Sequence, residues 1–331
     1  MVDAKTNMIT LSILIPVYNV ERYIRRCLDS VYKQLPNNCE VIIVDDGSSD
    51  NSTKICDEYQ IVNPHNTKVI HKKNSGAYSS RNVAMNNAQG EYFWLIDPDD
   101  FITENAISDI LSTIEAKHPD IISLAYKRCN ENSFFDLTNA HDNTIVSGEE
   151  YILNYSPDPY LWSKVYNASF LQKNNLKFNE DVYSQGDWLF NMYAFSCAST
   201  IVLTPFYCYN YFDNPYSTLR TTDQEKVRCN LNNSLVIIKE FSDFISMQKD
   251  VEIKARLKDW QGYNTSGFLY ALLLNSFSQN EIKEFLSKLE CAEAYPAPKT
   301  THRKAQLFLN FANIKWLFLL MCRLYRLIKH R

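Results

Sequence analysis

The sequence predicts an open, doubly wound α/β domain on a mostly parallel sheet, followed by a helical extension. Three observations carry that expectation. The first 125 residues alternate short apolar runs with stretches of helical spacing. The apolar runs lack in-out alternation, which suits strands covered on both faces. Polar clusters follow three of the runs directly, and such sheets bind ligands outside the carboxyl ends of their strands.

The elements read in order. Leu11–Pro16 is the first run, and Glu21–Gln34 has helical spacing. Val41–Val44 is the second, ended by Asp45-Asp46-Gly47 and followed by the helical stretch Asp50–Val62. Lys68–His71 is a weaker run before the helical Ala77–Ala88. Tyr92–Ile96 is strong and stops at Asp97; Glu104–Ala116 then has helical spacing, and Ile121–Ala125 is the last run. Strand–helix repetition of this kind builds parallel sheets. Residues 126–220 are less regular and rich in aromatics, with helix-like pieces at Gly148–Asn154 and Asp187–Ala198. Residues 222–290 look purely helical, and Tyr295-Pro-Ala-Pro breaks the chain before a last segment. The domain expectation is therefore 1–220, 221–295 and 296–331.

Composition narrows the class. An apolar share of 45% allows a large core. Glycine is scarce, 7 in 331 residues, so low-complexity and collagen-like chains are excluded and each glycine is worth locating. The net charge of −4 argues against a nucleic-acid binder. That average hides an asymmetry: Ala294–Arg331 carries eight Lys/Arg and no Asp/Glu, leaving 26 basic against 38 acidic side chains in the rest. A basic tail on an acidic body points to an anionic surface as partner. The nine cysteines are odd in number and form no C-x-x-C pair, as expected of reduced thiols in a cytoplasmic protein. No signal-peptide pattern occurs in Met1–Thr10.

The polar clusters are Pro16-Val17-Tyr18-Asn19, Asp45-Asp46-Gly47-Ser48 and Asp97-Pro98-Asp99-Asp100. Their place at strand ends should bring them to one site. Carboxylates crowded at one strand end stay ionised only beside a counter-charge. Mg²⁺ or Mn²⁺ fits that need, held by one or two carboxylates plus substrate phosphates. The same string also suits a solvated turn capping a helix. No His or Cys lies nearby, which argues against zinc. A carboxylate at Asp45-Asp46 can accept the imide N–H of a uracil or ribose hydroxyls, or belong to a plain helix cap. Arg81, one turn into a helix after Asn74-Ser75-Gly76, can reach a phosphate as a forked donor or lie on the surface.

Taken together, SILIPVYNVERYIRRCLDSV, VIIVDDGSSDNST and NSGAYSSRNVAMNNAQGEYFWLIDPDD resemble the glycosyltransferase family 2 pattern of the GT-A fold. The resemblance is close over about residues 9–125 and continues weakly through LWSKVYNASFL and YSQGDWLFN to about residue 218. It implies inverting transfer of a sugar from a nucleotide-sugar donor, of UDP type, to a glycan or lipid-linked glycan in surface polysaccharide synthesis such as capsule. Carried over by position, Pro16, Tyr18 and Asn19 line the nucleotide pocket with Glu21 nearby, Asp46 holds the base and Arg81 lies near the pyrophosphate. Asp97 and Asp99 handle ribose and metal, with Asp100 a further metal-side carboxylate. Asp187 matches the base that takes the acceptor's proton. Its neighbour departs from the pattern: Gly186 stands where the family has Glu. Glu180 and Asp181 are the rival carboxylates, and Asp187 as a mere helix cap is the plainer alternative. Trp162 and Lys164 match an element beside acceptor and donor sugar, although a core Trp is equally common. Tyr209 and Ser217 fall where the family has a phosphate-side loop.

Lys304–Arg331 reads as one helix. Its apolar residues, among them Leu317, Phe318 and Leu324, share one side and Lys315, Arg323 and Arg326 another. The longest uncharged apolar run, Trp316–Cys322, is seven residues, far short of the ~20 a spanning helix needs. The expectation is an interfacial anchor at the inner face of the plasma membrane, with a core-packed helix or a dimer contact as the alternative. A homo-oligomer is compatible with the sequence. A dehydrogenase is excluded, because no G-x-G-x-x-G follows the first strand. A non-catalytic nucleotide-sugar-binding partner of another transferase is the competing reading, motivated by Gly186.

Overall fold

The computed structural model describes residues 8–130, 133–137, 141–156, 158–182, 185–214 and 223–329. The chain divides into two compact units, Met1–Tyr151 with Asp158–Tyr216, and Ile152–Pro157 with Ser217–Arg331. The expected helical extension and basic terminal segment thus fall in the second unit.

Strands and helices alternate along the chain: β1 (Leu11–Val17), α1 (Ile24–Tyr32), β2 (Cys39–Asp45), α2 (Ser52–Val62), β3 (Thr67–His71), α3 (Ala77–Asn87) and β4 (Tyr92–Leu95). Next come β5 (Phe101–Ile102), α4 (Ala106–Lys117), β6 (Ile121–Cys129), β7 (Phe134–Leu137), β8 (Thr144–Val146) and α5 (Gly148–Asn154). A 3₁₀ turn at Leu161–Ser163 leads into β9 (Lys164–Asn167), α6 (Ala168–Lys173), α7 (Gly186–Cys197) and β10 (Ile201–Phe212).

The sheet runs β3-β2-β1-β4-β9-β6-β10-β5, with β7 beside β6 and β8 beside β10. Parallel pairing holds through β3-β2-β1-β4 and between β6 and β10. β9 lies antiparallel between β4 and β6. β5, β7 and β8 are antiparallel to their partners. The sheet is therefore mixed, with its parallel part where the apolar runs predicted it. β9 escaped the sequence pattern because polar Lys164 and Asn167 flank only Val165 and Tyr166, so no apolar run shows. β10 contains Pro205, which donates no ladder hydrogen bond, and the register to β6 shifts between Leu203 and Tyr207.

All seven residues of β1 are buried. Ile13 and Ile15 join Ile24 and Leu28 of α1 and Ile107 and Ile110 of α4 in one cluster. Full burial of one such side chain contributes about 1.5–3 kcal/mol. Strand alternation turns Leu14, Ile42 and Val44 to the other face, where α3 packs on β1 and β2. Buried α3 residues include Ser79, Ser80, Arg81 and Asn82, so this helix brings polar groups inward. Gly76, at its N-cap with φ 95°, adopts a conformation that costs a side-chain-bearing residue strain.

The second unit is helical: α8 (Gln224–Met247), α9 (Val251–Leu274), α10 (Gln279–Cys291), α11 (Arg303–Ala312) and α12 (Lys315–Lys329). Asp223 and Asp250 cap α8 and α9 through their side chains, and Ser278 with Glu281 forms a capping box on α10. Leu269, Leu272, Leu286, Leu309 and Phe318 share its core.

The single helix expected from Lys304 onward is corrected to two, α11 and α12, bent by 100°. Side-chain chemistry fixes the break. Asn313 Nδ2 donates to Ala297 O at 2.9 Å, and its Oδ1 accepts from Ala297 N–H at 2.8 Å. Tyr295 Oη donates to Ala312 O at 2.9 Å. The Pro-flanked segment thus satisfies groups a continuous helix would use itself. Among the described residues no single helix is long and apolar enough to cross a membrane; the bent α11–α12 pair meets that length and composition together. Asn313→Ala should lower unfolding free energy by about 1–3 kcal/mol, two hydrogen bonds' worth. Denaturant unfolding reads the loss, and hydrogen exchange at the Ala297 amide should speed up.

Candidate active site at the carboxyl ends of the strands

The first two connections are laced together. Asn19 N–H donates to Ser48 Oγ at 3.1 Å, and Asn19 Oδ1 accepts from Ser49 N–H at 2.8 Å. Glu21 N–H donates to Asp50 Oδ2 at 3.0 Å, while Glu21 Oε2 accepts from the Asn51 backbone and side chain. Asn19 and Glu21 therefore hold the loops in shape. Tyr18 is half exposed beside them, and Pro16 is buried in β1. Asp46, also buried, accepts from Ser75 N–H at 3.0 Å, Gly76 N–H at 2.8 Å and Lys72 Nζ. It locks the end of β2 to the start of α3. Asp45 braces the same turn, accepting from Ser48 N–H at 3.0 Å and Thr53 Oγ1 at 2.8 Å.

Five residues beyond Gly76, about 7.5 Å along the helix axis, Arg81 forms the centre of the site. Its Nη2 donates to Asp97 Oδ1 at 2.8 Å and its Nη1 to Asp187 Oδ1 at 2.7 Å. The guanidinium is 8% exposed and lies 5.5 Å from the Tyr78 ring centroid. Its Nε is buried without a hydrogen-bond partner. The expected pyrophosphate ligand thus grips two carboxylates 16 and 106 residues away. Burial holds the Asp187 carboxyl above its ordinary range; Arg81 pulls it down and Asp97 pushes it up. About a third of its side chain still reaches solvent.

The acidic string after β4 divides. Asp97 goes to Arg81. The Asp99 backbone carbonyl accepts from Arg26 Nη2 at 2.7 Å, and its carboxylate accepts from Asn214 Nδ2 at 2.9 Å. Burial, then the charge of Asp97, raises the Asp99 pKa. Asp100 turns inward: Oδ1 accepts from Phe212 N–H at 2.6 Å and Oδ2 from Tyr209 Oη at 2.7 Å. At 1% exposure it braces β10, which corrects its reading as a metal-side carboxylate. A buried carboxylate pushed up by a like charge is relieved by a cation, and oxygen donors of this kind suit Mg²⁺ or Mn²⁺. Asp99, with Asp97 beside it, fits that group; no described cluster of three or more His, Cys, Asp or Glu forms a metal site by itself.

Two further expectations are corrected. Trp162 is 4% exposed, its ring stacked on Tyr209 at 4.5 Å and Tyr160 at 4.7 Å, so it belongs to the core rather than to a sugar site. Lys164 is fully buried, with Nζ 2.8 Å from Asp158 Oδ2 and 2.7 Å from Ser163 Oγ. It compensates the buried charge of Asp158. Ser217 lies outside the described residues. The rivals Glu180 and Asp181 line a cleft of about 470 Å³ with Asn82, Phe178 and Tyr193, where Glu180 accepts from Asn82 Nδ2 at 2.8 Å. Residues missed from the sequence are Tyr78, Lys72, Arg26 and Asn214. Tyr78 sits inside the NSGAYSSRN string, but an aromatic at helical spacing reads as core.

The chain belongs to glycosyltransferase family 2: the model described as "Glycosyl transferase family 2" matches residues 12–199, more than half of it. It is 29% identical to the Bacillus subtilis glycosyltransferase EpsJ over 62% of each chain. It is 33% identical over 59% of its length to Staphylococcus aureus poly(ribitol-phosphate) β-N-acetylglucosaminyltransferase TarS, of which it covers 34%. The chain thus spans less than two thirds of the length of these curated relatives. The solved structure of S. aureus TarS 1–349 in complex with UDP matches with a TM-score of 0.70 at 22% identity, covering 97% of this chain and 91% of that one. That likeness carries the fold.

Lys164→Met should cost about 3–5 kcal/mol, because it removes the cation paired with the buried Asp158 carboxylate. A thermal melt reads the loss; unchanged stability would return Lys164 to the ligand side.

Proposed function

We propose that this chain transfers a sugar from a UDP-sugar to a hydroxyl of a glycan or lipid-linked glycan, with inversion, in surface polysaccharide synthesis. One observation carries the reading: Arg81 joins Asp97, at a strand end, to Asp187, at the start of α7. Membership in family 2 and the name of the relative TarS support the choice of a UDP-N-acetylhexosamine as first donor to try.

Asp187 is the general base. As the acceptor oxygen bonds to the anomeric carbon, its proton passes to the Asp187 carboxylate. The bond from that carbon to the diphosphate oxygen breaks, and its electron pair leaves with the diphosphate. Arg81 keeps Asp187 ionised and aimed, against the burial that favours its neutral form. Mg²⁺ or Mn²⁺, held by Asp99 with Asp97 nearby, would offset the charge of the diphosphate. Asp46 and the turn it locks to α3 form the base-binding side, with Tyr18 as an exposed ring.

The α11–α12 pair supports a seat on anionic lipid at the inner face of the plasma membrane. Trp316, Leu320, Leu324 and Leu327 are exposed, with Lys304, Arg323 and Arg326 in the same two helices. Aromatic and aliphatic residues beside basic ones favour the lipid–water interface.

Nucleotide release from a panel of UDP-sugars tests the activity. Asp187→Asn should lower kcat by about 10²–10⁴-fold, leaving UDP affinity within about twofold. Asp99→Asn and chelator should each abolish turnover that Mn²⁺ restores to the wild type. Full turnover by Asp187→Asn would remove it as base. For the membrane seat, the full chain should float with phosphatidylglycerol vesicles and not with phosphatidylcholine alone, and Trp316→Glu with Leu324→Glu should abolish flotation. A wild type that stays with the protein fraction would overturn that part.

A further inference from the structure

Gly186 departs from the family pattern, and the structure supplies a physical reason for it. A Cβ built on Gly186 would meet Cε2 and Cζ of Tyr78 at 2.8 Å, closer than carbon atoms pack. The aromatic ring on α3 occupies the space that a side chain beside the base would need. The ring is fixed from behind: it stacks on Phe178 at 5.5 Å and 7°, and Phe178 stacks on Phe190 of α7 at 4.3 Å and 12°.

The Tyr78 hydroxyl has work at the same place. It accepts from Gly186 N–H at 2.8 Å. That N–H belongs to the first turn of α7, whose N-cap residue Gln185 makes no side-chain cap. Such first-turn groups have no partner inside their own helix. The Arg81 guanidinium lies over the same ring, its carbon 5.5 Å from the centroid. Two contacts from one side chain therefore hold the start of α7, one residue before Asp187, and the cation that pairs with Asp187. We infer that Tyr78 is the positioning residue of Asp187, acting through the Gly186 amide and the Arg81 guanidinium, and that Gly186 is the glycine its ring requires.

This rests on Asp187 as the base of a sugar transfer. A base displaced by a fraction of an ångström loses rate without losing donor, because the donor's nucleotide is held elsewhere. That split separates positioning from scaffolding.

The test uses the full chain and the UDP-sugar that gives the fastest UDP release from the wild type, with water in the acceptor's place. Tyr78→Phe keeps the ring and its stack on Phe178 and removes only the hydroxyl. It should lower kcat by roughly ten- to hundredfold while donor KM and UDP affinity stay within about twofold; the melting temperature falls by only a few degrees, as loss of the hydrogen bond to Gly186 N–H requires, and the protein stays folded at the assay temperature. Equal kcat in Tyr78→Phe and wild type would overturn the inference, as would a loss confined to KM. A double-mutant cycle with Tyr78→Ala and Gly186→Ala tests the steric half. Gly186→Ala should cost rate beside Tyr78 and little or nothing once the ring is gone; effects that simply multiply would overturn the coupling. A wild type that neither binds UDP nor releases it from any donor would instead overturn the transferase reading, a result visible without any variant.

Discussion

The site depends on one guanidinium. Arg81 is held between two carboxylates that the chain places far apart, one ending a run of sheet and the other opening a helix. Burying such a charge is costly unless it is paired, and removing one partner from a buried pair costs about 3–5 kcal/mol. The constraint therefore acts on the backbone. The end of β4, the second turn of α3 and the first turn of α7 must meet within hydrogen-bond reach. The three groups together carry a net charge of −1 when all are ionised, and this leaves Asp187 with less support than a simple ion pair would. Its raised pKa follows from burial and from Asp97 facing the same cation.

The parallel half of the sheet was legible because physics wrote it in a simple form. Strands β1, β2 and β4 are covered on both faces, so nearly every residue is apolar, and each run stops where the chain leaves the sheet for polar loop. That Arg81, Asp97 and Asp187 meet follows from the same pattern, since each stands at the exit of a buried strand or in an early turn of a helix beside that exit. β9 and β10 were not, since one has polar residues at both ends of a two-residue apolar stretch and the other carries Pro205 in mid-course.

The misreadings share a cause. Lys164 and Asp100 are charged, and charge in a sequence suggests ligand contact or solvent. Both are buried with partners that lie elsewhere in the chain: Asp158 for Lys164, and Tyr209 and the Phe212 amide for Asp100. Trp162 errs in the opposite sense, an aromatic whose ring faces are taken by Tyr160 and Tyr209. Partnership is a property of three-dimensional neighbours, and composition or spacing does not encode it. The same limit hid Tyr78, whose hydroxyl reaches Gly186, 108 residues away.

The acidic string after β4 illustrates how one short segment serves several ends. Successive residues leaving a strand point in different directions, so Asp97, Asp99 and Asp100 meet different surroundings although they are nearly adjacent. Asp97 finds a fixed cation in Arg81. Asp100 finds neutral donors on β10 and remains inside. Asp99 has the Asn214 amide and the nearby charge of Arg26, yet burial and Asp97 still raise its pKa. Burial and the same neighbours push Asp100 up more strongly still, so it is the partial exposure of Asp99, and not its titration, that sets it apart. That difference argues for a division inside the string between an acid that holds the sheet, Asp100, and one left within reach of the solvent side, Asp99.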